Sequence, residues 1–192
     1  MQRRDFQRQL SRSALALALA PWLHSIAATP TAQVARAWKR NPFALGVASG
    51  RPQYDSVMLW TRLLIQDEDR LSADGDAVAV TVEVFGDEAL KRRIYSGDVL
   101  TDATRAHAVH APVRGLQPGR DYWYRFRQGH AVSTVGHTRT LPSPTADVQS
   151  LRLALASCQH YEQGQYVAHE DIVRQSLDMV LFVGDYIYET VG

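Results

Sequence analysis

Between residues 41 and 141 the apolar positions come in short stretches broken by turn residues, and only the patch at 87–92 carries a helical period. Alternation of period two between Gly and Pro signals is the mark of strands buried on one face. It predicts strands at 44–49, 56–63, 77–85, 92–96, 107–113, 121–128 and 132–139. In the third of these Val78, Val80, Val82 and Val84 alternate with Ala79, Thr81 and Glu83, so one face is apolar and the other mixed. Gly50, Gly75, Gly86, Gly97 and Gly129 fall between the stretches, where turns need them. The pattern predicts an all-β unit, a β-sandwich, over residues 41–141.

The segment Leu116-Gln117-Pro118-Gly119-Arg120-Asp121-Tyr122-Trp123-Tyr124-Arg125-Phe126 is the most informative part of that unit. Pro-Gly turns the chain, after which Tyr122, Tyr124 and Phe126 share one strand face and Trp123 and Arg125 the other. The run resembles the L-x-P-x-x-x-Y-x-Y segment of fibronectin type III and Ig-like domains, whose first tyrosine closes a corner through its hydroxyl. An aromatic strand without such a corner is the other reading, and it leaves the sandwich intact.

After the Leu141-Pro142-Ser143-Pro144-Thr145 linker the pattern changes. Residues 151–156 are apolar, about 16 helix-compatible residues follow, and 179–183 are apolar again. Strand, helix and strand predict a βαβ unit, which binds ligands beyond the carboxyl ends of its strands. Both ends are polar: Ser157-Cys158-Gln159-His160 after the first strand, and Gly184-Asp185-Tyr186-Ile187-Tyr188-Glu189 after the second. Adjacent parallel strands lie about 4.8 Å apart, so Cys158, Asp185 and Tyr188 can converge on one cation. A thiolate, a carboxylate and a phenolate suit a ferric ion, whose charge offsets the loss of protons with free pKa values of about 8.5 and 10. Each also has a plainer reading: Cys158 as a small buried hydrophobe, Asp185 as a turn residue, Tyr188 as a packing residue. His160, His169 and Glu170 are metal-capable types for which a solvated role is expected.

The N-terminus is a different kind of text. Arg3 and Arg4 precede Phe6, the apolar run 13–20 follows, and small residues fill 27–32. A positive head, a short apolar run and an Ala-rich exit make a signal peptide over residues 1–32. The run is too short for the roughly 20 residues a bilayer span needs. The arginine pair resembles the twin-arginine signal, so the export machinery that reads it is an expected partner and the periplasm or exterior the destination. An ordinary secretory signal is the alternative.

The formal net charge of +1 conceals seven Arg or Lys against one Asp in residues 1–40, leaving −5 on the rest of the 192 residues. That balance gives no electrostatic reason to expect nucleic acid as a partner. Cys158 is the only cysteine, so no intramolecular disulfide forms.

Two segments carry a family resemblance. Phe43-Ala-Leu-Gly-Val-Ala-Ser-Gly50 followed by Ser56-Val-Met-Leu-Trp-Thr-Arg62 is similar to the opening of PhoD-type alkaline phosphatases and phosphodiesterases, with Arg51 where those have Asp. Ser157-Cys158-Gln159, Gly164 with Ala168, and residues 178–189 resemble the catalytic entry of that family, within the calcineurin-like metallophosphatases. The resemblance implies that Cys158, Asp185 and Tyr188 ligate Fe³⁺, with Asp185 placed to bridge to Ca²⁺. It further implies hydrolysis of phosphodiesters or monoesters outside the cytoplasm, with residues 150–192 opening a catalytic domain. Two strands and a helix do not close a core, so this chain alone is expected to be an inactive fragment. Competing readings are a secreted fibronectin-like binding module, which leaves residues 184–189 unexplained, and an oxidoreductase using Cys158, which the lack of a partner cysteine disfavours.

Overall fold

The computed structural model describes residues 38–65 and 77–189. The proposed signal, with Arg3 and Arg4, lies outside them. Ten strands form three sheets. One sheet holds β1 (Val47–Gly50), β2 (Ser56–Arg62) and β5 (Ala108–Arg114), all antiparallel. A second, of five strands, holds β3 (Val78–Phe85), β4 (Arg93–Thr101), β6 (Asp121–Gln128), β7 (Ala131–Val132) and β8 (Gly136–Arg139). In it β3 lies between β4 and β6, and both β7 and β8 pair with β6.

The period-two pattern explains why these two sheets face each other. Val57 and Leu59 of β2 and Val109, Ala111 and Val113 of β5 pack in one cluster with Val78 to Val84 of β3 and Tyr122, Tyr124 and Phe126 of β6. Removing each such side chain from water contributes about 1.5–3 kcal/mol, and only a two-layer arrangement does so for both sheets. The expected corner is present: the Tyr122 hydroxyl accepts from the Gln117 N–H at 2.8 Å and donates to the Gln117 carbonyl at 3.3 Å. Tyr124 crosses beside Gly136, where an added Cβ would meet the ring at 2.3 Å, so only glycine lets β8 approach β6 there.

Several expectations are corrected in detail. Residues 43–46 form a turn, closed by the Gly46 N–H on the Phe43 carbonyl at 3.0 Å with Gly46 at φ +77, so β1 starts three residues late. The helical patch at 87–92 is a hairpin turn in which the Asp87 carboxylate accepts the Lys91 and Arg92 N–H groups at 3.0 and 2.6 Å. β4 does not stop at Ser96 but runs through Gly97 to Thr101. The strand expected at 132–139 breaks in two, because Ser133 leaves the ladder and its hydroxyl accepts the Phe126 N–H at 2.9 Å.

Beyond the sandwich, β9 (Leu153–Ala156) and β10 (Met179–Phe182) pair in parallel, Leu153 opposite Met179, with helix α1 (Val167–Arg174) between them in sequence. The helix takes eight residues, about half of the helix-compatible stretch. Gly164 and Tyr166, both at positive φ, hold the chain out of helix before it. Asp178 ties this segment to the sandwich by accepting from the Arg139 guanidinium, and within the segment it accepts from the Arg152 N–H, each at 2.9 Å.

Candidate metal centre

The loops leaving β9 and β10 run side by side and are stitched together through their backbones. The Val183 N–H reaches the Ala156 carbonyl at 3.0 Å, Cys158 N–H the Asp185 carbonyl at 2.7 Å, Tyr188 N–H the Gln159 carbonyl at 2.6 Å, and Tyr161 N–H the Tyr188 carbonyl at 2.8 Å. The parallel ladder therefore continues past the strands proper, with His160 bridged to Tyr188. This stitching requires unusual dihedrals. Cys158 (φ 56) and Asp185 (φ 39) both occupy the left-handed region, and Gly184 stands at φ 109. For side chains other than glycine that region is sparsely populated and costs on the order of 1 kcal/mol each.

The strain brings the donors together. Cys158 Sγ lies 3.9 Å from Asp185 Oδ2, at the long limit for a thiol donating to a carboxylate. The Tyr188 phenol is pushed up to about 12, first by its hydrogen bond to Asp185 and then by desolvation and the Asp185 charge. Among the described residues no three His, Cys, Asp or Glu side chains cluster tightly enough to hold an ion. This set has two of those types and completes itself with a phenol.

Two residues expected to be solvated are drawn into the loops instead. His160 stacks on Tyr188, with centroids 4.9 Å apart and planes at 30°, and its Nδ1 is buried without a partner. His169 on α1 hydrogen bonds Gln159 Oε1, which fastens the helix to the cysteine loop. Glu170 behaves as expected and pairs with Arg174 one turn on, at 3.4 Å. Tyr186 is exposed and its ring lies 4.7 Å from Phe182. The clamping by Gln159 and His160 was missed by residue-type reasoning; their place directly after Cys158 was the available signal.

Comparison with known proteins follows the same division of the chain. A family model described as "PhoD-like phosphatase, N-terminal domain" matches residues 27–142, and one described as "PhoD-like phosphatase" matches residues 153–192. Alkaline phosphatase D of Bacillus subtilis (strain 168) is 46% identical over 151 residues, which is 77% of this chain and 25% of that protein. A solved structure described as "Structure of PhoD" superposes with a TM-score of 0.74 at 44% identity, over 81% of this chain and 30% of the other. The chain thus spans between a quarter and a third of the length of these relatives.

Proposed function

The chain belongs to the PhoD-like phosphatase family, and from that premise we propose that it supplies the sandwich and first metal-holding loops of an exported phosphoric ester hydrolase. Phosphodiesters and phosphomonoesters are the substrate class. The observation that carries the reading is the meeting of Cys158 Sγ and Asp185 Oδ2 at 3.9 Å, beside a Tyr188 phenol whose pKa the same carboxylate raises. Structural loops have no need to bring a thiol, a carboxylate and a phenol together through two left-handed residues.

The donor set fits the metals the family uses. Sulfur and phenolate oxygen suit ferric iron, and a carboxylate suits a neighbouring Ca²⁺. When bound, such a pair supplies Lewis-acid polarisation of a phosphoryl oxygen. The residues' own work is positional. Asp185 faces the Cys158 thiol and raises the pKa of the Tyr188 phenol, His160 fixes the plane of the Tyr188 ring, and Gln159 with His169 keeps the cysteine loop against α1. To ligate, Cys158 Sγ and Tyr188 Oη must release their protons, so cation uptake is coupled to proton release.

The twin-arginine reading of Arg3 and Arg4 belongs to the same proposal, placing the enzyme in the periplasm or outside the cell. Among the described residues no helix is long and apolar enough to cross a membrane.

Tyr188→Phe tests the site, because it removes the phenol and keeps the ring. In the gene product carrying this chain, loaded with ferric ion, the variant should lose the visible phenolate-to-iron absorption. Its phosphodiesterase rate should fall at least about tenfold. Unchanged colour, iron content and rate would make Tyr188 a packing residue.

A further inference from the structure

We infer that the outward face of the five-stranded sheet is a docking surface for a phosphate-bearing polyanion, separate from the metal centre. On this face Glu83 is surrounded by three arginines from two strands. Arg93 Nη1 lies 2.7 Å from its carboxylate, Arg125 Nε 2.8 Å and Arg127 Nη1 3.9 Å. One carboxylate against three guanidiniums leaves two positive charges in excess at a single spot. Arg93 and Arg127 are well exposed, at 57% and 43% of their side chains. The third arginine is stiffened by its neighbour, since the Arg125 guanidinium sits 5.3 Å from the Phe85 ring centroid.

The register extends this platform into a cleft. Trp123 stands opposite Phe85 in the β3–β6 ladder and stacks near His137 at 5.2 Å. It also lines a cavity of about 540 Å³ at the end of the sandwich, together with Arg92, Tyr95 and Arg120. The acids of the region are already engaged: Asp98 accepts from the Thr81 hydroxyl at 2.7 Å, and Asp121 meets His137 at 3.0 Å. Counting face and cleft together, six arginines (Arg92, Arg93, Arg114, Arg120, Arg125 and Arg127) stand against the four carboxylates of Glu83, Asp87, Asp98 and Asp121. Among the described residues the Arg120 side chain has no carboxylate partner.

Guanidiniums present forked donors that match phosphate oxygens, and they are weakly hydrated enough to exchange water for them. An array spread over two strands and a cleft recognises several anionic groups in series rather than one. The choice of phosphate among anions rests on the phosphoester reading above. A failure of that reading appears as absent hydrolysis, and a failure of this one as absent binding.

The probe is tripolyphosphate, titrated calorimetrically into the whole chain at low ionic strength. Saturable binding is expected, at least roughly tenfold tighter than for orthophosphate, because one phosphate engages fewer forks. Arg127→Gln leaves Glu83 with both of its close arginines and so should fold normally. Combined with Arg120→Gln it should weaken binding by roughly tenfold at an unchanged melting temperature. Arg62→Gln, on the opposite sheet, should bind as the parent does. Equal loss in Arg62→Gln, equal affinity for orthophosphate, or equal binding of polyglutamate of matched charge would each overturn the proposal.

Discussion

The sandwich and the βαβ segment are written in equally apolar text, yet they end in opposite states. In the sandwich Leu59, Val80, Val84, Val109 and Phe126 are all 0% exposed. Among described residues 151–189 none is buried, and Leu155, in the middle of a strand, is 67% exposed. Two amphipathic sheets satisfy each other, whereas a parallel pair is apolar on both faces and needs a layer on each. The difference shows how the chain divides its roles. The sandwich is held by burial; the segment beyond it is held by backbone hydrogen bonds between loops and by a tie to the sandwich, and it carries Cys158, Asp185 and Tyr188.

The largest test of this contrast is a matched pair of truncations. Phe126→Ala empties a site at the sandwich centre, where the ring stands edge-on to Tyr124 at 6.1 Å, and should cost about 3–5 kcal/mol in denaturant unfolding. Leu155→Ala should change stability by no more than about 0.5 kcal/mol. A comparable loss from both would mean that the segment shares the core after all.

A smaller effect is expected at Glu83, the one residue of a charged type buried among the described residues. Burial raises its carboxyl pKa, but the hydrogen bonds from Arg125 and Arg93, with the charges of Arg125 and Arg127, outweigh that and hold it below its ordinary 4.5. A depressed folded value stabilises the native state above the unfolded value, and that contribution is lost as pH falls through the folded one. Glu83→Gln should therefore cost about 2 kcal/mol at neutral pH. It should also flatten the decline in stability that the parent shows below about pH 4.5. A parent and variant that decline in parallel would move the acid sensitivity elsewhere.

A small change in stability, with the sharpest local signature, should come from Arg139→Ala. Its ion pair with Asp178 is part exposed, so global stability should drop by less than about 1 kcal/mol. Cleavage within residues 142–145 should nonetheless accelerate, because the tie that steadies the linker is gone. Unaltered proteolysis would show that the Arg139–Asp178 pair does not steady the linker.

How far each feature was legible depended on whether neighbours in sequence or in space decide it. The strands at 56–63, 77–85 and 121–128 appear within a residue or two of expectation, because alternation is a local property and both sheets obeyed it. The corner at Tyr122 was legible for the same reason, its partner being five residues away. Gly97 misled, since glycine usually ends a strand. Here β4 continues through it, opposite Val82 in the ladder with β3, and the Tyr95 hydroxyl lies 2.7 Å from where a Cβ would stand. Glu83 was assigned correctly to the mixed face, but its burial depends on arginines from two other strand positions, 10 and 42 residues away.

The sequence by itself determined the order of elements, the inward face of each sandwich strand and the residue types able to hold a cation after β9 and β10. These follow from periodicity and side-chain chemistry, which need no knowledge of what lies opposite. Only the tertiary structure decided that Cys158 and Asp185 adopt left-handed backbone, that His160 lies on Tyr188, and that three arginines gather around Glu83 on one face. Those outcomes come from strand register and from hydrogen bonds between loops, and such pairings join residues whose positions in the chain carry no mark of each other.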